Sequence, residues 1–567
     1  MNNDNNNQKN HKDNAKAVGL FADKAYEPVR DSEADLKNEN VNADTELSLD
    51  KPASDEQALS VNTAFNNNAS KKTIASGEAL KLAVVGHTNT GKTSLLRTLL
   101  RDVYFGEVKN EAATTRHVEQ AKLTDSQTGE VLVVLYDTPG LEDASGLMDW
   151  LEDNTASRRD GIERLQQFLA ADIAQGGNAL ANNGNNGNNG NNEDYSQEAK
   201  VIRQLLASDM AIYVVDAREP VLGKYKDELA ILSWAAIPVM PVFNFTDSQD
   251  ANIDAWQTML ARRNLHISTR FDSVAFEFKD EMRLWQNLAT MLTHSEMLEQ
   301  LMARRTENWA QLYEEANIII ADFLLNVASF VREISEDDDP MPVLAQMQEA
   351  VRQSERAMQN SLLNLYKFYD NAVAATPLEL QAYQQDPFDP ELLKSYGIRT
   401  TSGAAAGALL GLGIDAAALG TTLGLGAAIG GIAGGLLSNT SSIADKITGV
   451  KRLYIDPATL TLLATRAIDL LTALRHRGHA ATDATQLIYS GAKNDADISN
   501  NDNLSNDNEE SVVTPWPPHK LPSELKKARG KPQWSSLSSG KSEQAQLLRA
   551  DMAWSLASKL QLYKPER

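Results

Sequence analysis

Cysteine is absent from all 567 residues. Disulfides, thiolate zinc sites, iron–sulfur clusters and a cysteine nucleophile are therefore excluded. The N-terminal stretch MNNDNNNQKNHKDN has no apolar run of the kind a secretory signal needs, so the expected compartment is the cytoplasm. Basic residues are also in short supply. The 54 Lys and Arg face 77 Asp and Glu, a formal net charge of −23, which weighs against a broad surface for duplex phosphates. Length is plentiful. A chain of 567 residues exceeds one domain and has room for a large core.

Composition divides the chain. Residues 1–78 are rich in Asn, Asp, Glu, Lys and Ser and read as a disordered tail, too apolar-poor to offset the entropy of ordering. Residues 79–300 alternate strand and helix patterns. The predicted strands are Leu80–Val85, Val118–Asp125, Val131–Tyr136, Ala211–Val215, Pro238–Phe243 and a weaker Ser273–Phe278. The helices between the later strands are Gln197–Ala207, Lys224–Trp234, Ile253–Arg263 and Glu281–Leu292. This alternation predicts an α/β fold with a mostly parallel sheet, helices on both faces and one antiparallel hairpin at Val118–Tyr136. An Asn/Gly-rich insertion near 176–194 holds three Asn-Asn-Gly units, Asn182–Gly190, and reads as a flexible surface loop. Residues 301–492 read as an all-α domain. Its helical patterns are Trp309–Ile334, Met341–Tyr369 and Leu453–Leu474. Residues 493–543 read as a disordered linker and 544–563 as a terminal amphipathic helix.

The sharpest local signal is Gly86-His-Thr-Asn-Thr-Gly91-Lys92-Thr93, which matches GxxxxGK[ST] between a predicted strand and a predicted helix. Such a loop curls its N–H groups around phosphates, and the helix N-terminus adds a favourable dipole. The expected phosphate-binding residues are Gly86, Asn89, Thr90, Gly91, Lys92, Thr93 and Ser94. Lys92 is placed to neutralise the β- and γ-phosphates, and the Thr93 hydroxyl to bind Mg²⁺. Asp137-Thr-Pro-Gly140 ends the third strand. Asp137 is expected to hold Mg²⁺ and Gly140 to face the γ-phosphate. Between them, Ala113-Thr114-Thr115-Arg116 suggests a switch loop with Thr115 completing the metal shell. Asn244-Phe-Thr-Asp247 follows the fifth strand, where Asp247 can accept two hydrogen bonds from guanine but none from adenine.

These DTPG, TTR and NxxD boxes resemble the translation-factor-related GTPases, in particular the branch with the Era and tRNA-modification types. A closer likeness, through Gln197–Phe245, is to bacterial GTPases whose C-terminal glycine-rich domain has no assigned function. The resemblance extends over Lys81–Leu474 and implies GTP as ligand, Mg²⁺ as cofactor and GTP hydrolysis. Phe245 stands where that family has the Lys of NKxD. In those GTPases an Asn at the position of Asn89 resembles a ligand for a monovalent cation, which implies K⁺ in the role of an arginine finger. The alternative for Asn89 is a residue that tolerates a turn conformation. Lys92, Thr115 and Asn89 are thus the expected catalytic residues. Leu141 occupies the place of a water-positioning Gln, so intrinsic hydrolysis is expected to be slow.

Ser402–Leu437 is Gly/Ala-rich with one charged residue, Asp415, and reads as a glycine-zipper hairpin. It either contacts a membrane or packs as a small-residue core. His476 and His479 read as a solvated pair, and Asp216 in Asp216-Ala-Arg218-Glu219 as a cap of the next helix. Residues 513–567 carry ten basic against four acidic side chains, with Lys526, Lys527, Arg529 and Lys531 between Trp516 and Trp534. That stretch is a second candidate for anionic lipid, or for RNA. The expected function is a GTP-binding switch acting on the helical domain. A nucleotide-dependent scaffold for an unknown protein partner and an RNA-associated GTPase stand beside it.

Overall fold

The computed structural model describes residues 78–102, 118–156, 158–171, 174, 195–335, 338–368, 386–388, 414–416, 450–479, 514–538 and 543–563. All lie in one compact unit, Gly77–Arg567. The tail 1–77, the Asn-Asn-Gly run, the switch threonines and most of Ser402–Leu437 fall outside the described residues.

The strands of the first half are β1 (Leu80–Val85), β2 (Glu119–Thr124), β3 (Val131–Asp137), β4 (Met210–Asp216), β5 (Val239–Asn244) and β6 (Thr269–Arg270). They form one sheet in the order β2-β3-β1-β4-β5-β6. β1 pairs in parallel with β3 and β4, β4 with β5, and β5 with β6, while β2 runs antiparallel to β3. The pattern follows from composition. β4, MAIYVVD, is buried at every residue, as an uninterrupted apolar run covered on both faces must be. β2, EQAKLT, alternates exposed and buried positions and takes the edge. The predicted mostly parallel sheet with one antiparallel hairpin is the observed one.

The helices that cover this sheet are α1 (Lys92–Leu100), α2 (Ala144–Asn154), α3 (Gly161–Leu169), α4 (Ser196–Ala207), α5 (Gly223–Trp234), α6 (Ile253–Ala261) and α7 (Phe278–Thr290). The sequence patterns do not announce α2 and α3, which lie between β3 and the Asn/Gly-rich insertion. Ser273–Phe278 is not a strand: β6 ends at Arg270, and residues 272–276 form a loop that leads into α7.

From residue 296 the chain is mainly helical: α8 (Glu296–Ala328), α9 (Pro340–Leu365), α10 (Pro457–Arg475), α11 (Ser523–Arg529) and α12 (Glu543–Leu562). At 33 residues, α8 is about 50 Å long. α9 begins at a cap of the expected chemistry, with Asp339 accepting from the Met341 N–H at 3.0 Å and Pro340 in the first turn. The all-α expectation needs correction. β7 (Val331–Ser335), β8 (Ile414–Ala416) and β9 (Val450–Ile455) form an antiparallel sheet in the order β7-β9-β8. Asp415, the charged residue of the expected glycine-zipper hairpin, is a strand residue paired with Tyr454. The linker 493–543 is also ordered in part. Within 514–538, Trp516, Leu521, Leu525, Ala528 and Trp534 are buried, and Lys526, Lys527 and Lys531 stay exposed. The Ser535 hydroxyl donates to the Asn326 carbonyl on α8 at 2.9 Å.

α8 also ties the two halves together. The Arg305 guanidinium donates to the Leu99 carbonyl at the end of α1 at 2.7 Å. Gln300 and Arg304 donate to Asp125 in the β2–β3 turn at 2.7 and 2.9 Å.

Candidate nucleotide-binding site

The loop Gly86–Gly91 leaves β1 in the middle of the sheet and opens α1. Gly91 has φ 87, a left-handed conformation, and a Cβ there would stand 2.3 Å from Asn244 Nδ2 and 3.0 Å from the Phe245 ring. Only glycine fits. Lys92 is buried, and its ammonium donates to the carbonyls of Gly86 at 3.2 Å and His87 at 2.7 Å. Burial pulls its pKa down to about 8, opposed by the charge of Asp137. Ser94 is half-buried on the first turn, and the buried Thr90 donates its hydroxyl to the His87 carbonyl at 3.0 Å. Asn89 adopts φ 64 with an exposed side chain, the turn conformation that Asn tolerates.

The Thr93 hydroxyl donates to Asp137 Oδ2 at 2.5 Å. Asp137 is fully buried, and its Oδ1 has no hydrogen-bond partner. Burial pushes the carboxyl up to about 6, while the Thr93 hydroxyl and Lys92 act the other way. A buried carboxylate oxygen left unpaired beside a hydroxyl is a hard oxygen donor set, which suits Mg²⁺. Thr93 and Asp137 are the residues that would hold the ion. Bound there, it would neutralise charge on the phosphate oxygens. Gly140 packs directly on the Thr88 backbone, so the DTPG turn lies against the phosphate loop. Thr114, Thr115 and Arg116 lie outside the described residues.

At the base side, Asn244 is fully buried. Expected as a nucleotide contact, it spends its amide on backbone. Nδ2 donates to the Thr90 carbonyl at 3.1 Å, and Oδ1 accepts from Phe245 N–H at 3.0 Å and Ser273 N–H at 2.9 Å. Asp247 is exposed, and its N–H donates to Asp272 Oδ2 at 3.2 Å. Asp272 Oδ1 accepts from the N–H groups of Val274 and Ala275 at 2.8 and 3.0 Å. Phe245 is held at φ 55, a costly conformation for a bulky residue. The Arg218 guanidinium lies 4.0 Å over its ring. Asp216 grips that guanidinium with both oxygens at 2.9 and 2.7 Å. Asp216 is therefore not a helix cap, and the residue before α5 is Leu222.

Comparison with known proteins places this geometry. Residues 257–557 match DUF3482, a domain of unknown function. The chain belongs to the DUF3482 family. Residues 81–245 match the 50S ribosome-binding GTPase family, so this part is a P-loop GTPase G domain. The curated relatives include two proteins called tRNA modification GTPase MnmE. That of Parvibaculum lavamentivorans is 32% identical over 145 residues, 25% of this chain and 29% of its own. That of Rickettsia akari is 38% identical over 115 residues, 20% of this chain and 22% of its own. The chain thus spans less than a third of the length of the relatives it matches. Among solved structures, Era in complex with MgGDPNP and 16S ribosomal RNA aligns at TM-score 0.26 and 16% identity, covering 38% of this chain and 58% of that one. Aquifex aeolicus Era bound to GDP and AlF4⁻ aligns at TM-score 0.26 and 13% identity, covering 51% and 89%.

The two matches divide the G domain itself. The GTPase match ends at Phe245 and the DUF3482 match begins at residue 257, so Asp247 falls between them and Asp272 lies inside the second. Sequence reading missed one cluster altogether. His87 Nδ1 lies 2.8 Å from both the Leu141 carbonyl and Glu228 Oε1, and Nε2 lies 2.8 Å from Lys224 Nζ. These partners assign the proton to Nδ1. The Tyr213 hydroxyl donates to the other Glu228 oxygen at 2.7 Å. On the far side, Glu198 accepts from the N–H groups of Glu142 and Asp143 at 3.3 and 3.2 Å. The residues after DTPG are therefore held by α4, α5 and the phosphate loop together. No local motif announces this, because His87 and Glu228 are 141 positions apart.

His476 and His479 do not form a solvated pair. His476 Nδ1 lies 2.8 Å from Glu277, and the buried His479 donates to the Tyr366 carbonyl at 3.0 Å. Among the described residues no group of three or more His, Cys, Asp and Glu side chains is arranged to hold a metal ion.

Proposed function

We propose that the chain binds GTP with Mg²⁺, hydrolyses it slowly, and uses the exchange between nucleotide states to move its helical region. The carrying observation is the Thr93–Asp137 pair under the phosphate loop, with a buried oxygen unpaired. Asp247 reads the guanine N1 and N2 hydrogens. Phe245, backed by Arg218, provides an apolar face for the purine in place of the family's lysine. Lys92 and the metal supply the charge that phosphoryl transfer needs. Leu141 offers no group to orient water, so turnover waits on K⁺ beside Asn89, on Thr115, or on a partner. The cytoplasm is the proposed compartment.

The test is titration with fluorescent GTP and ATP, followed by turnover with Mg²⁺ in K⁺ against Na⁺. A GTP preference and Mg²⁺-dependent turnover that K⁺ accelerates are expected. Equal affinity for ATP, or no turnover, would sink the reading. Leu141 also favours a second reading, a nucleotide-dependent scaffold whose hydrolysis is incidental. A hydrolysis-dead variant that still binds GTP and still captures its partner would support that one. The relatives' name motivates an RNA arm, read by co-purification at low salt. Membrane contact through Ser402–Leu437 or the exposed lysines near α11 is a further proposal, read by vesicle flotation with and without those residues. One described helix, α10, is long and apolar enough to cross a membrane, but most of it is buried inside the fold.

A further inference from the structure

The helical region reaches into the base side of the nucleotide site. Past the end of α10, residues 476–479 run antiparallel to the loop 272–276, with Ala275 and Arg477 bridged as in a sheet. The Phe276 N–H donates to the His476 carbonyl at 3.1 Å, and the Gly478 N–H donates to the Val274 carbonyl at 2.8 Å. The approach is so close that a Cβ on Gly478 would stand 1.8 Å from the Ser273 carbonyl oxygen. That neighbour is backbone and cannot swing aside.

Both partners of this bridge are anchored elsewhere. Behind residues 476–479, His479 donates to the Tyr366 carbonyl at the end of α9 and stacks on Phe368 with ring centroids 4.3 Å apart. Arg475 lies 3.9 Å over the Tyr313 ring of α8. Behind the loop, Ser273 N–H donates to Asn244 Oδ1 at 2.9 Å, and its carbonyl accepts from the Thr98 hydroxyl of α1 at 2.9 Å. Asn244 in turn holds the Thr90 carbonyl of the phosphate loop. Asp272, at the start of the loop, accepts the N–H of Asp247. One hydrogen-bonded path therefore runs from the end of α10 through the 272–276 loop to the backbone of Asp247, the residue assigned to guanine.

We infer that residues 476–479 are a positioning strand for guanine recognition, so that the DUF3482 region completes the nucleotide site of its own G domain. This rests on the reading of Asp247 as the base-recognition residue. Docked, the strand fixes the loop that presents Asp247. Undocked, the loop loses two backbone partners and the base loses its fixed acceptor, while the phosphate loop, anchored in β1 and α1, stays formed. Binding is reciprocal by linkage: guanine nucleotide must favour the docked strand as much as the strand favours guanine nucleotide.

The experiment compares GTP with inorganic tripolyphosphate on the full chain. Gly478→Ala, which the Ser273 carbonyl cannot accommodate, is expected to weaken GTP binding by about tenfold and leave tripolyphosphate binding unchanged. His476→Asn, which keeps the backbone bridge, is expected to bind both like the wild type. An equal loss for both ligands, or no loss, overturns the inference. Hydrogen exchange on the wild type gives a second readout that does not depend on the variant folding. GTP is expected to slow exchange at Val274–Phe278 and Leu474–His479, and tripolyphosphate to leave it alone. Exchange unaffected by GTP in a chain that binds GTP overturns the positioning strand only. A wild type that binds tripolyphosphate without preferring GTP overturns the guanine reading as well.

Discussion

Asp137 is buried with one oxygen on Thr93 and the other unpaired, and its carboxyl is raised to about 6. A carboxyl raised in the folded state costs stability as pH climbs from its unfolded value, about 4, through 6. Asp137→Asn keeps an acceptor for Thr93 and removes that cost. Without nucleotide or metal, the variant should be more stable than the wild type at pH 7.5 by roughly 3 kcal/mol, with the gap falling to about half of that at pH 5. Thermal melts at the two pH values check this, and Mg²⁺ should stimulate turnover in the wild type only. Phe245 makes a different prediction. Aromatic stacking on a base contributes about 1–3 kcal/mol, so Phe245→Ala should weaken GTP and ITP alike by about tenfold. Arg218→Ala should cost less, and the pair together less than the sum, because Arg218 acts through the ring. Inorganic tripolyphosphate, which has no base to stack, is the control whose affinity should not move.

At the scale of elements, buried strands and the phosphate loop were legible because each is a local pattern. β4 is an apolar run, and GxxxxGK[ST] sets its own chemistry. Pieces stabilised from a distance were not. β7 and β9 are five and six residues long and merge into the apolar periodicity of the helices beside them. The stretch 514–538 has the composition of a linker, yet Trp516 and Trp534 anchor it in the core. Ser273–Phe278 reads as a strand of the main sheet, yet its bridge, at Ala275, is to Arg477 some 200 residues away. A buried ion pair joins α9 to α10, with Arg466 Nε 2.8 Å from Glu355 and both side chains nearly inaccessible. Arg466→Met leaves Glu355 buried without its cation, and should destabilise the fold by about 3–5 kcal/mol. Arg466→Met with Glu355→Leu should recover most of that loss in chemical denaturation.

Across the whole molecule, the G domain and the helical region share side chains rather than abutting through a linker. Arg101, at the end of α1, lies 4.3 Å over the Trp309 ring of α8. His479 belongs to the same junction. Burial pulls its pKa down to about 3, so the unfolded chain takes up a proton below about pH 6.5 before the folded one does. Its contribution to stability therefore falls with pH. The advantage of the wild type over His479→Gln should shrink as pH is lowered from 7.5 to 5, and melting temperatures measured in parallel cancel the opposite trend from Asp137. The longest-range partnership has a temporal side. Arg549 of α12 clasps Asp322 of α8 across 227 positions of chain. At 5–20 residues per second, α8 leaves the ribosome roughly 10–45 seconds before its partner exists. Through that interval the flank of α8 that α12 later covers stands open, the kind of transiently exposed surface that favours aggregation before folding is complete.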